Sequence, residues 1–372
     1  MPVPGIAAEM ERLRHKARER TLSLPAGTDF TSNDYLSLSR HPALREAILT
    51  ALAKDGAVGA GGSRLLRGNH PAHEQLEASA AAFFGSEKAL FMGSGFIANY
   101  ALFSTLAERH DAVVFDERIH ASVKEGVHAS PAARYRAGHN DADAFSGAVR
   151  RARDAGARRV FIAVESVYSM DGDLAPLKEL DAIARAHDAT LVVDEAHATG
   201  VFGARGRGLG EGLQNENWIS LHTCGKALGV SGALICASGE VVDYLINRAR
   251  AFIYSTAPPP HLAAAVSRAL ELIDEEPWRR ARVLKLAEFA HARLSPGAPF
   301  AGSQIIPVIL GAEAYALKIA LALQGHGFDV RAVRPPTVPE GSSRLRISIH
   351  ADRTEAEIEA LGATLQTATA TS

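Results

Sequence analysis

The chain has 372 residues, of which 47% are hydrophobic and 22% charged. This length and balance are typical of a globular protein with a large core and room for two domains. A formal charge of −2 at pH 7 argues against nucleic acid as a partner. No uninterrupted apolar run reaches the roughly 18 residues of a membrane-spanning helix. Two cysteines are too few for a disulfide framework or for a zinc site of their own.

The N-terminal region begins with Met-Pro-Val-Pro-Gly-Ile, which lacks the basic-then-apolar order of a secretion signal. Together with the low cysteine content, this start leads us to expect a cytoplasmic protein. Residues Ala7 to Arg20 place apolar side chains at helical spacing among arginines and predict an amphipathic basic helix. The turn and capping residues of Thr31 to Leu36 then end that pattern.

Strand and helix signals alternate between about Ser86 and Ser238. A clean amphipathic helix is predicted over Leu177 to His187. Short apolar runs of the kind that is buried on both faces are Ala112–Phe115, Arg159–Val164, Thr190–Val193, Trp218–Thr223 and Gly232–Cys236. The alternation predicts an α/β fold with a mostly parallel sheet between two layers of helices.

A second, smaller unit is predicted near the C-terminus. After Pro258–Pro260 a long helical stretch runs from His261 towards Arg293, and Leu294–Phe300 is rich in proline and glycine. The elements expected beyond it are strands at Ile305–Ile309, Phe328–Val333 and Leu345–Ile349 and helices at Ala314–Gln324 and Thr354–Ala368. We therefore expect an N-terminal helix and arm over residues 1–40, a large domain over 41–290 and a small C-terminal α/β domain over 291–372.

Lys226 lies between Gly225 and Gly229, just after a predicted strand, where an amine has little crowding. Lysine is the residue that forms Schiff bases with carbonyl compounds. Asp194 ends another predicted strand, where its carboxylate could pair with a pyridinium nitrogen. Each residue alone is commonly a solvated loop residue or a helix cap. The two together indicate a site for pyridoxal phosphate (PLP).

Eight spaced motifs occur in one order along the chain. They cover residues 32–36 (SNDYL), 59–64 (GAGGSR), 68–77 (GNHPAHEQLE), 93–99 (GSGFIAN), 116–122 (DERIHAS), 165–173 (ESVYSMDGD), 194–200 (DEAHATG) and 223–229 (TCGKALG). In this order they resemble the α-oxoamine synthases, PLP enzymes of the aspartate-aminotransferase fold. The resemblance runs from about residue 30 to about residue 365 and implies PLP-dependent transferase fold type I.

The resemblance implies a set of residues around the cofactor. Lys226 would hold PLP and act as the base at the substrate Cα, and Asp194 would keep the ring nitrogen protonated. His197 would hydrogen-bond the phenolic oxygen of the ring, and His120 would stack on its face. The remaining implied contacts are Gly95 and Phe96 at the start of a helix and Thr223 for the phosphate, Ser169 near the cofactor oxygen or the substrate, and Ser255 and Thr256 for the phosphate of the neighbouring subunit.

The substrate contacts and the dimer are also implied by the resemblance. Arg346 would clamp the amino-acid carboxylate in a bidentate pair, and Asn33 lies in the first motif. Thr337 is expected near the acyl substrate, and Arg18 is one of several N-terminal arginines that could meet a distal carboxylate. Contacts of Ser255 and Thr256 across subunits imply a homodimer with the active site at its interface. No metal is required.

The segment over residues 334–346 (RPPTVPEGSSRLR) resembles the branch of the family that condenses L-alanine with a pimeloyl thioester in the biosynthesis of biotin. The thioester donor is either coenzyme A or acyl carrier protein. Relatives that use glycine usually differ around the Arg-Pro-Pro step. A sister branch that joins glycine to acetyl-CoA is the alternative.

Other classes of protein fit the sequence less well. A Rossmann dehydrogenase would need a complete Gly-x-Gly-x-x-Gly with an acid about twenty residues further on, and residues 93–95 offer only Gly-Ser-Gly. A non-catalytic regulator of the same fold would have no need of Lys226 and Asp194 together. Cys224 has no evident His and Asn partners, so it is expected to pack at a strand end rather than to act as a nucleophile.

Overall fold

The structure is a computed structural model that describes residues 3–214 and 216–370. Its helices are α1 (Ile6–His15), α2 (Pro42–Asp55), α3 (Pro71–Phe84), α4 (Gly95–Leu106), α5 (Ala121–Ala129), α6 (Ala142–Asp154), α7 (Leu177–Ala186), α8 (Gly239–Arg248), α9 (Arg250–Ile253), α10 (Pro260–Glu275), α11 (Trp278–Leu294), α12 (Glu313–Gly325) and α13 (Glu355–Ala370). Its strands are β1 (Thr28–Asp29), β2 (Lys88–Met92), β3 (Ala112–Asp116), β4 (Ala133–Ala137), β5 (Val160–Glu165), β6 (Thr190–Asp194), β7 (Trp218–Thr223), β8 (Ala233–Ala237), β9 (Ile305–Gly311), β10 (Phe328–Asp329), β11 (Ala332–Val333) and β12 (Ser343–Ser348). Among the described helices, none is long and apolar enough to cross a membrane.

The chain divides into two compact units. The larger unit comprises residues 36–169 and 174–281, and the smaller unit comprises residues 1–35, 170–173 and 282–372. The chain therefore passes from the smaller to the larger unit after residue 35, and it returns to the smaller unit after residue 281. The domain boundaries at 40 and 290 that the sequence suggests stay a prediction.

The sheet of the larger unit has seven strands in the described ranges, in the order β2-β8-β7-β6-β5-β3-β4. Strands β4, β3, β5, β6 and β7 are parallel, whereas β8 is antiparallel to both β7 and β2. The residues of β3, β5 and β8 are all buried, as expected for strands that are covered on both faces. The predicted mostly parallel sheet is thus confirmed.

Helices cover both faces of this sheet. Side chains of α4, α5 and α8 form one buried cluster with the sheet, which includes Leu102, Phe103 and Leu245. Side chains of α6 and α7 form a second cluster, which includes Phe145 and Leu180. Alternate residues of β3, β5 and β6 point to the two clusters, which fixes the register of each strand.

The topology gathers polar residues at one edge of the sheet. Glu165, Asp194 and Thr223 are the last residues of β5, β6 and β7. Carboxyl ends of parallel strands lie at the same edge, and ligands of open α/β sheets bind there. The loops that follow these strands carry Ser169, His197 and Lys226, so the candidate site of the larger unit lies at this edge.

The smaller unit has its own antiparallel sheet, in which β12 lies between β11 and β9. All six residues of β12 are buried, including Arg344 and Arg346. The short strands β1 and β10 pair in parallel, with Thr28 opposite Phe328. This pairing joins the N-terminal residues to the C-terminal part of the same unit.

Two predicted helices differ from the structure. The N-terminal helix ends at His15 rather than at Arg20, because Ala17 adopts a left-handed φ of 54° that a helix cannot include. The long stretch from His261 is two helices, because Pro277 follows α10 and has no N–H for a helical hydrogen bond. Strands β2 and β4 and several helices were not predicted.

Candidate active site

Lys226 lies in the turn that follows β7. The turn is tight, since the Gly229 N–H donates to the Lys226 carbonyl at 2.8 Å and Gly229 has a left-handed φ of 67°. A Cβ at Gly229 would lie 2.4 Å from the backbone nitrogen of Ser39, so only glycine fits there. The half-buried Lys226 places its Nζ 2.8 Å from His197 Nε2. Two of the predicted residues are therefore in direct contact.

Asp194 is buried at the end of β6, with 6% of its surface exposed. Its Oδ1 accepts the Ala196 N–H at 2.9 Å, and its Oδ2 accepts an amide hydrogen of Asn99 Nδ2 at 2.7 Å. Each carboxylate oxygen thus has a donor that fixes it. Charge-assisted bonds of this kind hold the carboxylate plane in one orientation.

His120 caps the N-terminus of α5. Its Nδ1 accepts the Ser122 N–H at 3.2 Å and lies 2.7 Å from Ser122 Oγ. Partial burial lowers the pKa of His120 below its ordinary value, Asp194 opposes this shift, and Lys226 and Lys124 reinforce it. These groups favour the neutral imidazole.

Glu165 is buried at the end of β5, and its Oε2 accepts the Ser169 N–H at 3.1 Å. Burial and the nearby charge of Asp194 raise the pKa of Glu165 to about 8, although Lys226 and the N–H groups of Ser169 and His120 act in the other direction. The contact with Glu165 thereby holds the backbone of the loop that carries Ser169.

The start of α4 lies against the end of β7. Ser94 caps the helix by accepting the Ile97 N–H, and a Cβ at Gly95 would lie 3.2 Å from Thr223 Oγ1. Because the first N–H groups of a helix have no partner within it, this end favours an anion. Phe96 is 49% exposed. Gly95, with Phe96 next to it on α4, thus lies against Thr223, and their role in binding a phosphate stays a prediction.

Ser255 and Thr256 are exposed in the segment after α9. They line a cavity of about 60 Å³ whose other walls include Gly93 and Ile97, which flank the start of α4. Their proposed contact with a second subunit is not tested by a single chain and stays a prediction.

The smaller unit holds the predicted substrate residues. Arg346 is buried, and it donates to the hydroxyls of Ser348 at 2.9 Å and Tyr35 at 3.1 Å. The Tyr35 hydroxyl donates in turn to Asn33 Oδ1 at 3.0 Å. Asn33 and Arg346 are therefore brought together, with Tyr35 between them.

Arg18 contacts two carboxylates of the smaller unit. Its Nη2 donates to Glu313 at 2.7 Å and to Glu340 at 2.8 Å, and its Nε donates to Glu313 at 3.1 Å. Thr337 has its hydroxyl 3.3 Å from Arg20 Nη2. Thr337 is thus a neighbour of Arg20.

Sequence reasoning assigned no role to Asn99, Ser122 or Glu165. All three lie inside the motifs that carry the family resemblance, but nothing in their spacing shows which side chains they touch. Cys224, by contrast, is fully buried, and burial raises the pKa of its thiol far above the ordinary value, so the packing interpretation fits the structure.

The family model for class I and II aminotransferases matches residues 25–365. An 8-amino-7-oxononanoate synthase of Chromobacterium violaceum is 43% identical over 96% of this chain and 96% of its own length. A protein of the same name from Anaeromyxobacter dehalogenans is 41% identical over 97% of this chain and 94% of its own.

Solved structures of PLP-dependent enzymes are also similar to this chain. A serine palmitoyltransferase from S. paucimobilis, solved with PLP and myriocin bound, has a TM-score of 0.90 and 28% identity over 99% of this chain and 97% of its own. An 8-amino-7-oxononanoate synthase from Francisella tularensis has a TM-score of 0.76 and 29% identity over 93% and 98%. The fold is that of PLP-dependent transferases of fold type I. The chain therefore belongs to the class I and II aminotransferase family and, within it, to the family of the 8-amino-7-oxononanoate synthases.

Proposed function

We propose that this chain is a PLP-dependent acyltransferase that condenses L-alanine with a pimeloyl thioester and releases carbon dioxide, the reaction of an 8-amino-7-oxononanoate synthase. The observation that carries the proposal is the meeting of Lys226 with His197 beside Asp194, in a chain that is 43% identical to such a synthase over almost its full length. Sequence identity at this level over the whole chain supports the specific activity as well as the family.

The residues of the larger unit fit PLP. A Cβ at Gly95 would make a tight contact with Thr223 Oγ1 at 3.2 Å, and a glycine at this position leaves the N–H groups at the start of α4 open to a phosphate. Asp194 has a carboxylate fixed by two donors that would pair with a protonated ring nitrogen, and Lys226 would provide the amine that holds the cofactor. When bound, PLP supplies an electron sink that stabilises negative charge at the Cα of the amino acid.

Lys226 is proposed to carry protons at the substrate Cα. Its Nζ is within hydrogen-bond distance of His197 Nε2, so His197 can orient the amine. A lysine must be neutral to accept the Cα proton, and it returns a proton to the same carbon after carbon dioxide has left. Removal and return by one group require that group to remain close to one atom, as a side chain on a tight turn does.

Asp194, His120 and His197 are proposed to hold the ring. The Asp194 carboxylate would keep the ring nitrogen protonated, because a fixed negative charge favours the positively charged form of its partner. His120, held in place as the cap of α5, would lie on the ring face, and His197 would donate to the phenolic oxygen. Ser169, whose backbone Glu165 fixes, would add a hydroxyl beside that oxygen.

Arg346 is proposed to bind the carboxylate of L-alanine. The contacts with Ser348 and Tyr35 fix its guanidinium, which reduces the entropy lost when a carboxylate binds. Asn33 would contribute a further polar contact through the same group of side chains. Decarboxylation of the condensed product would then take place at the carboxyl group that Arg346 holds in a fixed position.

For the acyl substrate we propose contacts from Thr337 and Arg18. The bonds of Arg18 with Glu313 and Glu340 use Nε and Nη2, and Nη1 makes no hydrogen bond in the described part of the chain. A pimeloyl chain ends in a carboxylate, and such a charge needs a donor when it is desolvated. We further propose a homodimer, in which the exposed Ser255 and Thr256 meet the phosphate of the neighbouring subunit, in the cytoplasm.

The test is a product assay by mass spectrometry with purified protein and PLP. L-alanine, glycine and L-serine are each combined with pimeloyl-CoA, acetyl-CoA and palmitoyl-CoA, and pimeloyl acyl carrier protein is compared with pimeloyl-CoA. We expect the highest kcat/KM with L-alanine and a pimeloyl donor. A preference for glycine with acetyl-CoA would refute the specific function and leave the family intact. The serine and palmitoyl-CoA arm is included because the serine palmitoyltransferase structure has a high TM-score.

A further inference from the structure

A chain of hydrogen bonds links His120 to Asp194 through two residues that have no assigned role. Asn99 Nδ2 is 2.7 Å from Asp194 Oδ2 and 3.0 Å from Ser122 Oγ. Ser122 Oγ is 2.7 Å from His120 Nδ1. Asn99 and Ser122 are buried, with 3% and 0% of their surfaces exposed, so water does not compete for the bonds that Asn99 makes with Asp194 and Ser122.

Only one assignment of donors and acceptors is consistent with this series of hydrogen bonds. An amide nitrogen carries two hydrogens, and Asn99 gives one to Asp194 and the other to the Ser122 hydroxyl. That hydroxyl accepts from Asn99, so its own hydrogen is free to point to His120 Nδ1. The Ser122 N–H also points to His120 Nδ1. Two donors directed at one ring nitrogen require a lone pair on it.

From this geometry we propose that Asn99 is a positioning residue that orients Asp194 and, through Ser122, holds His120 as the neutral tautomer with its hydrogen on Nε2. The proposal rests on the proposed function, in which both end residues contact the cofactor ring. A neutral imidazole suits a position on the face of a positively charged pyridinium ring, whereas an imidazolium would be repelled by it. The buried amide of Asn99 would thus determine both the orientation of Asp194 and the tautomer of His120.

Charged groups around His120 are consistent with this assignment. Asp194 from β6 favours the imidazolium, and Lys226 from the turn after β7 and Lys124 from α5 disfavour it. Glu165 from β5 interacts with the His120 backbone N–H rather than with its ring. Removing the hydroxyl donor from Nδ1 removes a bond that is available only to the neutral ring, so the pKa of His120 should rise.

The test measures the pKa of His120 from the exchange of its C2 hydrogen in D2O across pH, read by mass spectrometry. Trypsin releases residues 119–124 (IHASVK), a peptide in which His120 is the only histidine. The full-length wild type, Asn99→Ala and Ser122→Ala are compared with PLP bound and after its removal. We expect both variants to raise the pH midpoint of the exchange, which reports the pKa of His120, by about 0.5 unit or more. A shift of this size corresponds to the loss of one modest hydrogen bond.

The two variants separate the two parts of the proposal. Ser122→Ala leaves the bond between Asn99 and Asp194 intact, so only Asn99→Ala should weaken PLP binding, by about tenfold. Asn247→Ala, an exposed asparagine on α8 that donates to its own helix backbone, is the matched control and should change neither quantity. Equal PLP affinities in the two variants would overturn the orienting role towards Asp194.

An unchanged midpoint in either variant overturns the link to His120. Ser122→Ala removes a single hydroxyl and decides the question alone if Asn99→Ala does not fold. Failure of the proposed function has a different signature, since the product assay would then show another substrate pair, or the wild type would acquire no violet absorbance on addition of PLP. The exchange measurement on cofactor-free protein does not depend on that outcome.

Discussion

Glu165 and Asp194 are register partners at the carboxyl ends of adjacent parallel strands, yet their carboxylates have different surroundings. Each oxygen of Asp194 accepts a hydrogen bond. Glu165 has Ser169 as a donor to Oε2, whereas Oε1 is buried without a hydrogen-bond partner in the described part of the chain. Burial therefore raises the pKa of Glu165 to about 8, so this residue holds a proton at neutral pH.

This difference predicts how stability depends on pH. The folded protein holds the Glu165 proton up to about pH 8, and the unfolded chain releases it near the ordinary value of 4.5. Unfolding therefore releases a proton between these values, and the free energy of unfolding falls as pH rises through the window. Glu165→Gln should remove this part of the slope, about 3 kcal/mol between pH 5.5 and 8, as measured by urea unfolding of cofactor-free protein.

Glu179→Gln is the matched control for that experiment, because Glu179 is exposed on α7. It should leave the pH dependence unchanged. An equal slope in wild type and Glu165→Gln would show that Glu165 is ionised in the folded protein, contrary to the raised pKa.

Replacement of Lys226 by alanine should abolish turnover and the violet absorbance of bound PLP together, because one amine binds the cofactor and moves the Cα proton. The fold should survive, since Lys226 is half-buried in a turn. Absorbance spectra, turnover and circular dichroism check these outcomes, with Lys88→Ala, at the exposed first residue of β2, as control. Retained turnover in Lys226→Ala would rule out the assignment.

Asp194→Asn should bind PLP but lose about a hundredfold or more in rate, equivalent to at least ~3 kcal/mol of transition-state stabilisation. A neutral amide cannot hold the ring nitrogen protonated. The amide also has only one acceptor oxygen, so either Ala196 N–H or Asn99 Nδ2 loses its partner. The decisive measurement is the rate of Cα hydrogen exchange in L-alanine, and a near-normal rate would contradict the role.

Arg346→Lys should raise the KM for L-alanine by roughly tenfold or more and change the KM for the thioester much less. Lysine keeps the charge but loses the planar pair of donors that a carboxylate prefers. Steady-state kinetics with each substrate varied in turn would measure both constants. Arg293→Lys, an exposed position on α11, serves as control. Equal effects on both constants would indicate a structural role for Arg346.

Arg18→Ala should raise the KM for pimeloyl-CoA by roughly tenfold, because the distal carboxylate loses a charged donor. Acetyl-CoA has no distal carboxylate, so its slower turnover should respond little. Arg14→Ala is the comparison, since Arg14 is an exposed arginine of the same region that pairs with Glu11 and Glu19. If the two thioesters respond alike to Arg18→Ala, its role is to join the N-terminal residues to Glu313 and Glu340.

The fold was predictable where hydrophobic patterns are unambiguous. The runs of β3, β5 and β6 are apolar except at their ends, and α7 has one apolar face, so all four were predicted within about two residues. Strand β4 (ARYRA) is an edge strand with mostly exposed residues, and β2 starts with an exposed lysine, so neither carries the pattern of a buried strand. Their places depend on pairing with β3 and β8, which local sequence does not encode.

The site was predictable to the level of its motifs but not of its contacts. Resemblance pointed to Lys226, Asp194 and His197 as cofactor residues. It did not reveal that Asn99, from a helix 95 residues earlier, donates to Asp194. Nor could it show that Arg18 contacts Glu313 and Glu340, because both contacts span about 300 residues of chain. Such pairs are decided by tertiary packing.

The reactivity of the two cysteines can report local opening of the seven-stranded sheet. Cys224 follows β7, Cys236 lies in the adjacent β8, and burial raises the pKa of both thiols, to about 12 for Cys236. Alkylating reagents react with accessible thiolates, so neither residue should be labelled in the native protein at pH 8. The rate of iodoacetamide labelling in dilute urea would then measure how often this part of the sheet opens, without any engineered probe.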